Sequence, residues 1–421
     1  MCQNDPDEYT EIFDEIVTIM HNDYAGKDEK VGWDRPQEIR SKLFKLSKTL
    51  DETSFFDLVD EYLDDFDDRH ILWRLKKSYL KTLGFTVRRY RDSLYVNKVA
   101  GPHVELELGT KIVEIDDSSI PYHQEIHAKK LKNIPDERQN WRPILDRASN
   151  VTVEYKNGDT VSKKLTKQEP KPAERSPYEI KPLDQNTLLF RLDDFNRPDD
   201  ILELIHENRE LLDDTPYWII DVRNNNGGSD SAYGPILPYI FSKDEKIINE
   251  PVYFLMSERN CDLRIEILNE FMEHGSQKPE TRKLIQDYID DIERNRGKGF
   301  VKSEEPMEIV FEETLENPKK IVVLTDVYCS SSGDQFVHEV KQADKVHVMG
   351  RPTLGVLDYS NLARISFKER FELWYPTSKT ENVLRGEFTK GGITPDTYVP
   401  WTPEHLEDDI DMKMAMEYLH G

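Results

Sequence analysis

Cysteine is scarce: three in 421 residues, Cys2, Cys261 and Cys329. An odd number at unrelated spacings builds no disulfide framework and suits a reducing compartment, so the expected location is cytoplasmic. If the chain begins where a leader was trimmed, Cys2 would instead be the lipid-bearing first residue of a mature lipoprotein. Basic residues are outnumbered, 57 Lys and Arg against 82 Asp and Glu, a net charge of −25. A surface of that sign repels phosphate backbones and anionic headgroups, so neither nucleic acid nor membrane is an expected partner. No apolar run approaches the ~20 residues that cross a bilayer. The first residues, MCQNDPDEYTEIF, lack the basic and apolar regions of a signal peptide. No His/Cys spacing suited to a metal occurs, and no metal or cofactor is implied.

What is present is enough apolar residue, 37% with 19 Tyr and 17 Phe, for a sizeable core in two or three domains. Residues 6 to about 82 predict helices, with apolar positions three and four apart in EYTEIFDEIVTIM and SFFDLVDEYLDDFDD. From Gly84 the pattern turns to short strands: FTVRRY, SLYVNKV, KIVEIDD, then VTVEYKNGDTVSKKL with a hairpin signal, Asn-Gly, at its centre. A Pro- and Lys-rich stretch reads as a linker. Beyond it strands and helices alternate, from NTLLFRLDDF through YWIIDVR to KKIVVLTD, as in an α/β layer. The expected division is a helical region 1–83, a β domain 84–170, a linker 171–183 and an α/β domain 184–421 with a helical insertion at about 260–300.

Three features carry chemistry. The first is DVYCSSSGDQF, three serines between a buried strand and a helix. A serine at a helix start is ordinarily an N-cap. At a strand-to-helix turn it can also be an exposed nucleophile whose developing charge the helix terminus favours. The second is IIDVRNNNGGSDS, a buried strand running into Gly227 and Gly228. Glycines make a tight turn, and they also let backbone N–H groups approach a ligand as an oxyanion hole. The third is DDFDDRHILW, which sets His70 among acids, either as a surface histidine or as a base.

Together these segments resemble the tail-specific (C-terminal processing) protease family. LLFRLDDF…YWIIDVRNNNGG is similar to its strand-helix-strand ending in Gly-Gly. VLTDVYCSSSGDQFVHEVKQADKVHVMGRPTLG is similar to its nucleophile segment, and GGITPDTYV to its closing strand. LYVNKVAG…ELGTKIVEIDDSSI resembles a divergent PDZ-like domain, and DDFDDRH the Asp-x-His segment of the tricorn-like branch. The resemblance implies a multidomain α/β fold: an N-terminal helical region, a PDZ-like β domain and a catalytic domain of the crotonase-like, tail-specific protease type. It implies a serine-type endopeptidase acting on peptide or protein substrates. Alignment on Gly350 and Phe336 makes Ser331 the nucleophile, with the N–H of Ser332 and of Gly228, or Gly227 in a shifted register, as oxyanion donors.

Two departures bear on the base. The family's lysine position is Val356 here, which removes a Ser-Lys dyad and implies His70 as base. The acid expected in the Ser-His branch is Thr389 here, with Glu387 and Asp358 as alternative third members. The rival reading is a catalytically inactive peptide- or ligand-binding protein on the same fold. An esterase using the same serine is a third.

Overall fold

The computed structural model describes residues 6–76, 81–100, 106–131, 134–169, 176–274, 278–303, 308–389 and 391–421. Cys2 and residues 171–175 of the expected linker lie outside them. The chain divides into two compact units. The first takes Met1–Lys76, Ile248–Ile309 and Val356–Lys390; the second takes Lys77–Ile247, Val310–Gly355 and Gly391–Gly421. The stretch read as one catalytic domain, 184–421, is thus distributed over both. No described helix is long and apolar enough to cross a membrane.

In the first unit, helices Pro6–Asn22, Pro36–Leu46 and Glu52–Leu63 form as their apolar spacing predicts. The third starts where the Asp51 side chain accepts the Ser54 N–H at 2.8 Å. Their inward residues, among them Phe13, Phe55 and Tyr62, share a core with Trp73, Phe371 and Leu373. Trp73 belongs to a strand, Leu72–Leu75, which pairs antiparallel with Phe371–Trp374. The sequence had predicted helix here. The alternation of LWRL and the stack of Trp73 on Phe371, 5.2 Å between centroids, explain the strand. His70 therefore sits not on a helix but in the turn between the short helix Asp64–Phe66 and this strand. The same sheet includes Val252–Leu255, Phe300–Lys302 and Tyr359–Phe367. The 260–300 insertion is a helical pair, Glu258–His274 and Pro279–Asn295.

The second unit holds two sheets. One runs in the order Phe85–Tyr90, Ser93–Val99, Lys111–Ile115, Asn150–Glu154, Thr160–Lys164, around a core that includes Trp141 and Ile112. The other runs Thr397–Tyr398, Val346–Gly350, Lys320–Thr325, Tyr217–Asp221, Thr187–Leu192, Tyr178–Pro182. Its first five strands pair in parallel. Parallel strands are covered on both faces, which is why KIVVLT and YWIID are nearly continuous apolar runs. One face packs Phe336, Val337 and Val340 of helix Ser332–Val340; the other packs Ala415 and Leu419 of helix Ile410–His420.

At the end of strand Lys320–Thr325 lies a buried charge chain. Asp326 Oδ2 accepts from Arg88 at 2.8 Å and from Arg351 at 3.0 Å, and Arg351 also holds Asp411 at 2.6 and 2.7 Å. Burial pushes the Asp326 carboxyl up, but the two guanidinium groups outweigh it and hold it below the usual range. Asp411 is likewise raised by burial but lowered further by His405, Arg351 and Arg223, ending well below that range. With folded values below the unfolded ~3.9, these carboxylates contribute stability above that pH and lose it as pH falls through the folded values. Thermal unfolding should therefore lose stability on acidification below about pH 4. Arg351→Met removes the cation shared by Asp326 and Asp411, leaving Asp326 to Arg88 and Asp411 to Arg223 and His405, and should cost about 3 kcal/mol at pH 7 and flatten the acid limb. A variant with unchanged melting at pH 7 would contradict the role of this pair.

Candidate active site

Strand Lys320–Thr325 is followed by the turn Asp326–Ser331, and helix Ser332–Val340 starts at once. Ser331 is its N-cap, with φ 57° and ψ −121°. An ordinary capping serine has extended backbone. This one lies in a region that only glycine enters cheaply, and holding it there costs about 1–3 kcal/mol. Three bonds hold the turn. The Ser331 N–H donates to Asp334 Oδ2 at 2.7 Å, Ser330 N–H to the Asn225 carbonyl at 2.9 Å, and Leu354 N–H to the Cys329 carbonyl at 2.7 Å. Asp334 is fully buried, and its other oxygen accepts the Gly355 N–H at 2.9 Å. Ser331 remains half-exposed, whereas Ser332 is buried.

The Gly-Gly turn packs directly against it. A Cβ on Gly227 would lie 2.7 Å from Ser331 Cβ and 2.9 Å from the Ser330 carbonyl, so only glycine fits. Gly227 donates its N–H to Asn225 Oδ1 at 3.0 Å, and Asn225 Nδ2 donates to the Leu192 carbonyl at 3.0 Å. The register that uses Gly227 as an oxyanion donor is thereby occupied. Gly228 bridges Phe195 in parallel: Phe195 N–H bonds the Gly227 carbonyl at 2.8 Å and Ser229 N–H the Phe195 carbonyl at 2.9 Å. That pattern turns the N–H and carbonyl of Gly228 to the opposite edge. On that edge its carbonyl accepts Ser332 Oγ at 2.9 Å. Among the described residues no acceptor takes the Gly228 N–H, nor the Ser332 N–H at the open first turn of the helix.

Ser331, Ser332, Gly227 and Gly228 are thus brought together within the second unit. His70 belongs to the first. It is 6% exposed. Its backbone N–H donates to Asp68 Oδ1 at 2.8 Å, and its Nδ1 lies 2.7 Å from the Tyr359 carbonyl. A carbonyl only accepts, so Nδ1 carries a proton. The group at Nδ1 is a main-chain oxygen, that of Tyr359. Asp358, the next residue back, is buried and turned onto Thr389: it accepts the Thr389 N–H at 2.9 and 3.0 Å and also its hydroxyl. Glu387 is exposed and Val356 buried.

Residue-by-residue reading of the sequence passed over Asn225 and Asp334. Asn225 looked like one of three loop asparagines, and only its burial marks it. Asp334 had a signal, the Ser-x-x-Asp spacing of a capping box.

A search of the curated proteins finds no match. Among solved structures, mature CPAF is similar, at 12% identity and a TM-score of 0.64, over 98% of this chain and 96% of that one. CPAF complexed with lactacystin is similar at 14% identity and 0.64, over 98% and 97%. The photosystem II D1 C-terminal processing protease aligns over 95% of this chain and 94% of its own, at 14% identity and 0.46. For the two CPAF structures, at such identities, the likeness is one of fold. The model of peptidase family S41 matches residues 186–399, just over half of the chain and both turns of the site, and the chain belongs to that family.

Proposed function

We propose that this chain is a serine-type endopeptidase in which Ser331 attacks the peptide carbonyl and His70 is the general base. The observation that carries the reading is the backbone of Ser331, φ 57° and ψ −121°, on a strand-to-helix turn. A strained backbone on a strand-to-helix turn is the setting of a nucleophile elbow, and here it is found on the same serine that caps the helix. In this reading His70 Nε2 takes the Ser331 proton, and the N–H groups of Ser332 and Gly228 bind the oxyanion. The imidazolium then protonates the leaving amine, and water, activated by the same nitrogen, releases the acyl group.

Residues 84–170 are proposed as the PDZ-like module that receives a peptide as an added strand. Two arginines support a link to the site. Arg88 binds Asp326 before the serine turn, and Arg138 binds the carbonyls of Pro352 and Thr353 after it, at 2.9 and 2.7 Å.

The rival, a non-catalytic binding protein, is favoured by one observation: the expected acid position is Thr389, and a main-chain carbonyl, that of Tyr359, lies at His70 Nδ1. Labelling by a fluorophosphonate, which requires an activated serine, separates the two. Ser331→Ala should abolish it with the fold intact, and His70→Gln should slow it about a hundredfold. Ser330→Ala should change it little. Full labelling of Ser331→Ala would sink the nucleophile assignment, and no labelling of the wild type would favour the binding protein. Gly228→Ala should slow labelling about a hundredfold by displacing an oxyanion donor; an unchanged rate would remove Gly228 from the hole. Long peptides should compete with the probe at lower concentration than tetrapeptides sharing their C-terminal sequence, and equal potency would remove the strand-addition role.

A further inference from the structure

Both groups that hold His70, the Asp68 carboxylate and the Tyr359 residue, lead to one buried cation. Lys30 is 6% exposed. Its ammonium donates to the Tyr24 hydroxyl at 2.8 Å, and that hydroxyl donates to Asp68 Oδ2 at 2.7 Å. The ammonium itself lies 4.0 Å from Asp68 Oδ2 and 4.6 Å from the centre of the Tyr359 ring. Asp68 Oδ1, on the same carboxylate, takes the His70 backbone N–H, and the Tyr359 carbonyl takes the ring proton. The arrangement is built: Tyr24 is fully buried, and its hydroxyl folds over Gly26, where any Cβ would collide with it.

We infer that Lys30 is a positioning residue for His70, acting through Asp68 and Tyr359. The inference rests on the reading of His70 as the base. An ammonium is costly to bury unless its charge is answered. Here it answers Asp68. A carboxylate hydrogen-bonded to the His70 backbone would otherwise favour the charged imidazolium, which cannot act as a base. Lys30 lets Asp68 hold the backbone while cancelling the charge that would protonate the ring. The other anionic groups facing Tyr359 are each held as well. Glu29 pairs with Lys379 at 2.6 Å, and Asp358 is bonded to Thr389. Tyr24 and Tyr359 are the phenols beside the ammonium, and burial raises both.

The test is the pH titration of the His70 ring by NMR in the full chain, assigned by the signal lost in His70→Gln, alongside the pH dependence of fluorophosphonate labelling. Lys30→Met leaves Asp68 unanswered and should move the midpoint up by about half a unit or more. Asp68→Asn removes the carboxylate's negative charge and keeps the ammonium, and should move it down. Lys30→Arg should restore the wild-type midpoint. A merely structural lysine would lower stability and leave every midpoint in place. Opposite shifts in the first two variants support the inference. Wild-type midpoints in either variant, or shifts of the same sign, overturn it. The ring titration needs no reactive serine, so its failure is distinct from a failure of Ser331 to label. Loss of labelling in Ser331→Ala with normal labelling in His70→Gln would instead remove the base reading, and this inference with it.

Discussion

The backbone of Ser331 is the constraint around which the second unit is organised. A non-glycine residue at φ 57° is strained, and the strain persists only where the surroundings over-determine it. They do so here from several sides. Asp334 takes the N–H of Ser331 and, with its other oxygen, the N–H of Gly355. Asn225 takes the N–H of Ser330 with its carbonyl and ties the Gly-Gly turn to strand Thr187–Leu192 with its side chain. Gly227 lies where any side chain would strike Ser331. Each bond satisfies a buried polar group and also fixes the direction in which the serine projects.

The same economy governs charge. The chain carries a net −25, yet some of its scarce cations lie in the interior. Arg88 and Arg351 are 3% and 2% exposed, Lys30 and Lys379 6% and 1%. Each is set against a carboxylate: Asp326 and Asp411 in the second unit, Asp68 and Glu29 in the first. Buried pairs of this kind add little stability over apolar packing, but breaking one is expensive. They fix geometry, at the foot of the serine turn in one unit and around His70 in the other.

Much of this was legible in the sequence because it is local. A fully apolar KIVVLT followed by SSSGD predicts a strand, a turn and a helix, and the structure has them at Lys320–Thr325 and Ser332–Val340. The Asn-Gly hairpin at 157–158 likewise joins two strands. What the sequence did not disclose depends on pairings across the chain. LWRL reads as helix until Phe371–Trp374 is placed beside it. Thr389 reads as a missing acid until Asp358, 31 residues away, is seen bonded to it. Lys30 carries no signal at all. It lies in a polar turn, and its burial comes from Tyr24 and Tyr359, one near in sequence and one remote.

The central claim is that a strained backbone singles out one serine of three adjacent ones. It is tested most directly by fragmenting the fluorophosphonate-treated protein and locating the adduct by tandem mass spectrometry within the segment Asp326–Phe336. The account predicts a single phosphonyl group on Ser331. An adduct on Ser330 or Ser332, or one spread over all three, would contradict it.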